Sequence, residues 1–284
     1  MCPAEQLPDC VRGPIVAIGG AEDKQKERRV LFELCRLAGG VDARIAVFPT
    51  ASTVPAQMAE VYDRVFRDLG APPPMVFPIS TRAEGADPTT LARLEEATLV
   101  FFTGGDQLRL VSLLGGTPVA QIVRRLNARG VPVAGTSAGA AALCQHMIGR
   151  GRSGQVLGRH MVSLAPGLGL SNRTVIDQHF SQRHRMGRLF SAVSLNPFLV
   201  GVGIDEDTAA CLGGDNRLTV WGRGSVTVVN GHRLSYTNVH EVEGRTHAAV
   251  LGMSVHVLTA GCCYDLAEHT ATAPPRKEPP TPVP

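Results

Sequence analysis

The sequence predicts an α/β protein in which a mostly parallel sheet carries helices on both faces. Short apolar runs alternate with longer segments of helical periodicity over roughly the first half of the chain. The apolar runs contain almost no polar residues, as in strands that are buried on both faces. Most of these runs end at a glycine or a proline, for example at Gly19 and Pro49.

The individual elements follow from local periodicity and from the residues that stop each segment. We predict strands at residues 15–18, 44–48, 75–79, 98–102 and 131–134, and helices at residues 22–37, 56–69, 89–96, 108–114, 121–129 and from 138 onward. In the first helix Val30 and Leu34 share one face, and Gly39 follows the helix end. In the second helix Met58 and Val65 recur at helical spacing. This order predicts parallel strands joined by crossover helices.

The pattern changes after about residue 153, where glycines and β-branched residues become more frequent. Residues 225–230 and 254–258 are extended runs, and we expect them to be antiparallel strands added to the same sheet. No linker divides the chain, so we predict one α/β domain over residues 1–270. Residues 271–284 are rich in proline, which predicts a disordered tail.

Composition excludes several classes of function. The chain has 284 residues, of which 44% are hydrophobic and 19% charged, as in an ordinary globular protein. No apolar run reaches the roughly 18 residues of a membrane span, and the first residues do not have the pattern of a secretory signal. The formal net charge of +3 and the single Trp give little basis for binding nucleic acid. We therefore expect neither a membrane nor a nucleic acid as a partner.

The cysteines and glycines also argue against bound cofactors. The seven cysteines form no C-x-x-C pair, which argues against a disulfide framework and a structural zinc site. Gly13, Gly19 and Gly20 match neither a phosphate-binding loop nor a dinucleotide fingerprint, and no H-E-x-x-H pattern occurs. We expect no metal, no cofactor, reduced thiols and a cytoplasmic location.

The sharpest chemical signal is Gly135-Thr136-Ser137-Ala138-Gly139, between a predicted strand and a predicted helix. It matches the G-x-S-x-G nucleophile elbow, in which a strained turn presents the serine hydroxyl above the sheet. The helix N-terminus behind the serine offers free N–H groups to a developing oxyanion. The amides of Ala138 and Gly105, the latter in a second glycine turn, would form an oxyanion hole. The alternative is a small-residue turn that only packs a helix on the sheet.

Among the nine histidines, His179 is the best candidate for a general base. It ends the strand-like run 174–178, which is where an α/β sheet presents functional groups. Arg183, Arg185 and Arg188 follow it. Two interpretations remain open for them, a solvated helix face or a site that binds carboxylates. Asp177 would be available to a cationic group.

A third group, an acid that orients the imidazole, is expected among Asp205, Glu206 and Asp207, which follow the apolar run 201–204. If the strand continues, Asp205 and Glu206 point to opposite faces, so only one of them could reach His179. A solvated turn or a helix cap is the alternative. The order Ser, His, acid differs from the Ser, acid, His order of the α/β-hydrolase fold, which is therefore not expected.

Together these motifs resemble the cyanophycinase family, a family of serine peptidases that also includes peptidase E. The matching segments cover roughly residues 13–265; they are Gly19-Gly20-Ala21-Glu22-Asp23-Lys24, Phe102-Thr103-Gly104-Gly105-Asp106-Gln107, the elbow 135–140, Asp177-Gln178-His179-Phe180 with its three arginines, and Gly203-Ile204-Asp205-Glu206-Asp207. The elbow alone is shared with peptidase E and with glutamine-amidotransferase-like folds, and the Asp-Gln-His segment with its three arginines is the part specific to cyanophycinases.

The resemblance implies a fold like that of class I glutamine amidotransferases, with Ser137 as nucleophile, His179 as general base and Glu206 as the orienting acid. It places six residues around the substrate: Gln107, Asp177, Gln178, Arg183, Arg185 and Arg188. The implied substrate is cyanophycin, multi-L-arginyl-poly-L-aspartate, and the implied product is the β-aspartyl-arginine dipeptide. A homodimer is also implied.

Two alternatives remain open. An aspartyl or isoaspartyl dipeptidase of the peptidase E kind would share the elbow but would not need the arginine cluster after the histidine. A non-catalytic binding protein on the same fold would retain the scaffold, and its Ser137 would not react with a serine-directed probe.

Overall fold

The fold is built around a nine-stranded sheet in a computed structural model that describes residues 2–6, 8, 10–154, 156–243 and 246–274. In these residues the strands are β1 (Ile15–Ile18), β2 (Ile45–Phe48), β3 (Met75–Val76), β4 (Leu99–Phe102), β5 (Val133–Thr136), β6 (His146–Gly151), β7 (Val162–Pro166), β8 (Thr174–Gln178), β9 (Val200–Ile204), β10 (Thr208–Leu212), β11 (Arg217–Gly222), β12 (Val226–Asn230), β13 (Tyr236–Thr237), β14 (Val250–Leu251), β15 (Ser254–Leu258), β16 (Cys263–Asp265) and β17 (Thr270–Thr272). The helices are α1 (Arg29–Ala38), α2 (Pro55–Asp68), α3 (Pro88–Leu94), α4 (Gln107–Leu114), α5 (Pro118–Ala128), α6 (Ala138–Ala142) and α7 (Met186–Leu195).

The large sheet has the strand order β17-β16-β11-β10-β1-β5-β4-β2-β3. Strands β1 to β5 run parallel to one another, whereas β10, β11, β16 and β17 extend the sheet in antiparallel pairs. The carboxyl ends of β1, β4 and β5 therefore meet at one edge, where α/β sheets hold their functional groups.

Both faces of this sheet are covered, as the sequence predicts. On one face α1 and α2 pack through residues such as Leu34 and Phe66 against Val16 and Phe101. Successive side chains of a strand point to opposite faces, so the neighbouring residues of the same strands pack on α3 to α6 instead. The mostly parallel, helix-covered α/β architecture is confirmed.

A second sheet is the main departure from the sequence prediction. Residues 225–230 and 254–258 do form antiparallel strands, as β12 and β15, but they join β9 and β8 in a separate four-stranded sheet with the order β15-β12-β9-β8. One face packs on the large sheet through residues such as Ile176 and Val202. The other face is covered by α7. Because both faces of β8, β9 and β12 are buried, the apolar pattern of these three strands does not indicate which sheet they join.

The first helix is shorter than predicted, beginning at Arg29 and not at residue 22. The Asp23 carboxylate accepts hydrogen bonds from the backbone amides of residues 25 to 28, which holds the chain in a turn. These four bonds lower the pKa of Asp23. Arg28, with φ of 48°, separates this turn from the helix.

The predicted tail begins differently from the prediction. Ala271 and Thr272 lie in β17, which pairs with β16 and is not disordered. Residues 275–284, the remainder of the predicted tail beyond Pro274, lie outside the described residues. The division into one domain over residues 1–270 and a tail stays a prediction. Within the described ranges no helix combines the length and the apolar character needed to cross a bilayer.

Candidate active site

Ser137 lies in a strained turn between β5 and α6. Its φ of 52° and ψ of −113° are unusual for a residue with a side chain. Two glycines permit the turn. A Cβ on Gly135 would come within 2.5 Å of the Gly139 oxygen, and a Cβ on Gly139 would come within 2.8 Å of the Phe102 carbonyl carbon. The predicted nucleophile elbow is therefore present as a backbone structure, with Ser137 half-buried at its apex.

The structure brings Ser137, His179 and Glu206 into one chain of hydrogen bonds. Ser137 Oγ lies 2.9 Å from His179 Nε2, and His179 Nδ1 lies 2.6 Å from Glu206 Oε1. His179 follows β8 directly, and Glu206 stands two residues after the neighbouring parallel strand β9. Ser137 comes from the large sheet and the other two residues come from the second sheet. This is the geometry in which an imidazole can take a proton from a serine hydroxyl.

The environment of His179 favours its neutral form. Burial is the largest cause that lowers the pKa of His179, and the positive charges of Arg183 and Arg185 lower it further. The hydrogen bond and the charge of Glu206 oppose this shift, but the net direction is downward from the ordinary value of 6.5. A neutral imidazole at neutral pH can accept a proton.

The structure separates the roles of Asp205 and Glu206, which the sequence left open. Asp205 accepts hydrogen bonds from the hydroxyl groups of Ser181, at 2.6 Å, and Ser225, at 2.7 Å, and from the backbone amides of both residues. Through these hydrogen bonds Asp205 connects the loop after His179 to the residue that precedes β12. Glu206 instead faces the imidazole, and its own amide donates to Gln182 Oε1.

The two amides predicted for an oxyanion hole lie close to the elbow. Ala138 is the first residue of α6, where backbone N–H groups have no partner within the helix. Gly105 is exposed and has a φ of 144°, and a Cβ there would come within 2.8 Å of the Ser52 nitrogen. The preceding glycine, Gly104, lies against the Ser137 side chain, since a Cβ on it would be 3.4 Å from Ser137 Cβ. The oxyanion role of both amides stays a prediction.

Four of the six residues predicted to bind substrate, Asp177, Gln178, Arg185 and Arg188, form a buried cluster. Asp177 is 1% exposed and accepts from Arg188 Nε at 2.5 Å and from Arg185 Nη1 at 3.3 Å. Arg185 Nη1 also donates to the side-chain oxygen of Gln178 at 2.7 Å. Burial is the largest cause that lowers the pKa of Arg185, to about 10. The carboxylate that the sequence suggested for a cationic ligand is thus already paired with two guanidinium groups of its own chain.

Arg183 and Gln107 are placed differently. Arg183 is exposed on the loop after His179 and close enough for its charge to affect that imidazole. Gln107 begins α4, and its side-chain amide donates to the carbonyl oxygens of Ile148 and Gly149 in β6. The substrate contacts of all six predicted residues remain predictions.

Glu22 is a further group at this site, one that local sequence patterns do not single out. Its carboxylate is buried and accepts from Thr136 Oγ1, at 2.6 Å, and from the hydroxyl of Tyr62. The sequence shows Glu22 within the glycine-rich segment after β1, Gly19-Gly20-Ala21-Glu22-Asp23. No local pattern indicates that Glu22 contacts Thr136, the residue before Ser137. Within the described part of the chain, no cluster of three or more His, Cys, Asp or Glu side chains is arranged to hold a metal ion.

The chain matches one family model and several curated proteins. Residues 15–220 match the model described as peptidase family S51. The chain is 43% identical over 259 residues to a cyanophycinase of Synechococcus elongatus, an alignment that covers 91% of this chain and 80% of the relative. It is 40% identical over 264 residues to a cyanophycinase of Geminocystis herdmanii, which covers 93% and 97% respectively.

One solved structure supports the architecture. The crystal structure of a peptidase from an acI-B1 actinobacterium superposes with a TM-score of 0.64 at 22% identity, covering 90% of this chain and 97% of that one. At that identity the likeness concerns the fold. The family model spans β1 through most of β11 and includes the elbow, His179 and Glu206. By the family match and by these relatives, the chain belongs to peptidase family S51 and to the cyanophycinase family.

Proposed function

We propose that this chain is a serine-type exopeptidase that hydrolyses cyanophycin and releases β-aspartyl-arginine dipeptides. The observation that carries the proposal is the hydrogen-bonded chain from Ser137 Oγ through His179 to Glu206 Oε1. The substrate is inferred from the relatives named cyanophycinase, whose sequences match this chain over nine-tenths of its length. The geometry supplies the reaction type and the relatives supply the substrate class.

The reaction that we propose begins when Ser137 Oγ attacks a main-chain carbonyl carbon of the polymer. His179 Nε2 takes the hydroxyl proton, and Glu206 stabilises the imidazolium through Nδ1. The amides of Gly105 and Ala138 donate to the oxyanion. The C–N bond then breaks, and the leaving amine takes the proton from His179. Water, deprotonated by the same imidazole, hydrolyses the acyl-enzyme ester and restores Ser137.

For substrate binding we propose a division between direct and indirect contacts. Arg183 is exposed, so its guanidinium is free to bind a carboxylate of the polymer in bidentate fashion. Gln107 is half-buried at the start of α4, and we propose that it extends this binding surface. Gln178 and Arg185 are buried and bonded to each other, and we propose that they support the surface without contacting the polymer. Asp177 and Arg188 are buried against each other, and we propose that they support this surface from beneath. This modifies the role that the resemblance implies for the four buried residues.

We also propose a homodimer and a cytoplasmic location. All seven cysteines are unpaired, which fits a reducing compartment. Val255 and Val257 on β15, an edge strand, are 42% and 64% exposed, which is apolar area that a second copy could cover. Light scattering coupled to size-exclusion chromatography measures the mass, and a monomer mass at micromolar concentration would refute the dimer.

The test is product analysis on the purified polymer. The protein is incubated with insoluble cyanophycin, and the soluble products are identified by mass. We expect the β-aspartyl-arginine dipeptide from the natural protein, and a rate lower by a factor on the order of 10⁴ or more from Ser137→Ala. Circular dichroism checks that the variant is folded. A folded Ser137→Ala protein with full activity would overturn the proposed mechanism.

Parallel substrates and a probe separate the alternatives. If a short Asp-X dipeptide is cleaved while the polymer is left intact, the chain is a dipeptidase of the peptidase E kind. If a fluorophosphonate probe does not label Ser137 in the natural protein and no product forms, the chain is a binding protein on this fold. Labelling of the natural protein, with no labelling of Ser137→Ala, supports the serine mechanism independently of the substrate.

A further inference from the structure

Residues 19–23, the loop that leaves β1, contact the surroundings of all three triad residues. The Gly19 carbonyl accepts the His179 amide at 2.7 Å, and the Gly20 carbonyl accepts the Asp207 amide at 3.0 Å. The Asp23 amide donates to Asp207 Oδ1 at 2.8 Å. Asp207 directly follows Glu206, so this loop fixes the backbone at two of the three triad positions.

At the third triad position, Ser137, the loop acts through the side chain of Glu22. Glu22 is 4% exposed, and its Oε2 accepts the Thr136 hydroxyl at 2.6 Å. Thr136 is the last residue of β5 and immediately precedes Ser137. A residue with a positive φ is held only when its surroundings constrain it. The Glu22–Thr136 bond is such a constraint, placed one residue before the strained turn.

Glu22 is itself held from two other directions. The hydroxyl of Tyr62, on α2, donates to Oε1, and Lys24 Nζ lies 2.9 Å from the same oxygen. Lys24 also stands over the Tyr62 ring, 5.4 Å from its centroid. A buried carboxylate is costly unless it is hydrogen-bonded and paired, and these contacts meet both conditions. The carboxylate is therefore fixed relative to α2 as well as to β5.

We propose that Glu22 is a positioning residue for Ser137, acting through Thr136 to hold the strained turn that aims Ser137 Oγ at His179 Nε2. The inference rests on the proposed serine mechanism. It assigns a role to the glycine-rich segment after β1, which matches neither a phosphate-binding loop nor a dinucleotide fingerprint. Glu22 touches no reacting atom in this arrangement, so its contribution is to geometry.

A positioning role and a purely structural role predict different results. If Glu22 only joins α2 to β5, its loss lowers stability and reduces the fraction of folded protein, but each folded molecule keeps its rate. If Glu22 positions Ser137, each folded molecule reacts more slowly while substrate binding is retained. Errors in the position of a reacting group of about 1 Å are known to cost up to about 100-fold in rate.

The experiment compares four variants with the natural protein. Glu22→Gln keeps the shape of the side chain, but the donors Tyr62 and Lys24 hold its one oxygen, so its NH₂ group faces Thr136 and cannot accept the Thr136 hydroxyl. Thr136→Val removes the hydroxyl, and Thr136→Ser keeps it. Glu33→Gln, which disturbs only a surface pair with Arg36 on α1, is the matched control. The measurements are kcat and KM on a short soluble oligomer of the repeating unit, and the rate at which a fluorophosphonate labels Ser137, each normalised to folded protein.

We expect kcat and the labelling rate to fall by about 10- to 100-fold in Glu22→Gln and Thr136→Val, with KM changed by less than about twofold. Thr136→Ser and Glu33→Gln should keep the natural values. Because the two groups act through one bond, the double variant Glu22→Gln/Thr136→Val should be no slower than the slower single variant. Natural kcat and labelling rate in Glu22→Gln, or multiplying effects in the double variant, would overturn the inference.

The failures of the two proposals are distinguishable. If the natural protein does not degrade the polymer but its Ser137 is labelled, the substrate is wrong and the labelling rates still test Glu22. If the natural protein releases the dipeptide, Ser137→Ala does not, and Glu22→Gln keeps the natural rates, the proposed function stands and the positioning role is wrong.

Discussion

Gly20 lies directly against the imidazole ring of His179. A Cβ at position 20 would come within 2.5 Å of His179 Nε2, the nitrogen that faces Ser137 Oγ. Gly20 also has a φ of 95°, a conformation that residues with a side chain rarely adopt. The imidazole therefore occupies space that exists only because position 20 has no side chain.

Gly20→Ala should consequently displace the ring and strain the backbone. We expect a loss of stability of about 1–3 kcal/mol and a loss of activity in the folded fraction, since the ring cannot stay where it is. Urea unfolding measures the first and the fluorophosphonate labelling rate measures the second. Gly70→Ala, at a positive φ with open space around it, is the matched control. It should lose stability for the same backbone reason but keep the labelling rate, and equal labelling in both variants would contradict the steric argument.

The pH dependence of the rate at which Ser137 reacts should depend on the charge of Arg183. Because the pKa of His179 is lowered and only the neutral imidazole acts as a base, the rate should rise with pH through a midpoint below 6.5. Arg183 is one cause of this lowering, so Arg183→Gln should move the midpoint to higher pH. The pH profile of Ser137 labelling by a neutral probe measures this without involving substrate binding. Arg36→Gln on α1 is the control. An unmoved or lower midpoint in Arg183→Gln would contradict the assigned electrostatics.

Glu206→Gln should retain the fold and lose most of the activity. An amide can present its NH₂ group to His179 Nδ1, which favours the tautomer that cannot accept a proton from Ser137. The expected loss in kcat is about 10²- to 10⁴-fold. Loss of the Glu206 contribution should also lower the pKa of His179 further, because Glu206 raises it. Glu241→Gln, in an exposed pair with His240, is the control. Comparable rates for the two variants would show that Glu206 does not orient the imidazole.

Asp177→Asn should be strongly destabilising. It removes the carboxylate that compensates Arg188 and Arg185, which are 5% and 8% exposed. Breaking one partner of a buried pair costs about 3–5 kcal/mol. Adding Arg188→Met should restore part of this loss, because it removes one uncompensated charge. Asp63→Asn, in an exposed pair with Arg67, should cost less than about 1 kcal/mol. Equal unfolding midpoints for the two aspartate variants would contradict the ion cluster.

Local sequence patterns were sufficient for the parallel half of the fold and for the elbow. The strands at 15–18 and 45–48 are apolar runs closed by glycine or proline, and the glycines at 135 and 139 are required because a Cβ at either position would clash with neighbouring backbone. The order of Ser137, His179 and Glu206 along the chain is by itself enough to argue against the α/β-hydrolase fold, because that fold places the acid between the serine and the histidine.

Several side-chain contacts could not be predicted in the same way. Residues 22–29 are all polar or charged, and only the residues from Val30 onward have apolar helical spacing. The Asp23 carboxylate holds residues 25 to 28 in a turn because four backbone amides bind it. Asp177 on β8 pairs with Arg188 because α7 packs back on the second sheet. The spacing of charged residues along the sequence does not predict this packing. Glu22 and Thr136 are 114 positions apart, and no local pattern connects them.

The placement of Ser137 on one sheet and of His179 on the other has a consequence for biosynthesis. The serine is synthesised 42 residues before its base, and the two meet only after the second sheet has docked against the first. Under the proposed serine mechanism, a chain whose second sheet has not docked therefore carries a Ser137 hydroxyl with no base beside it.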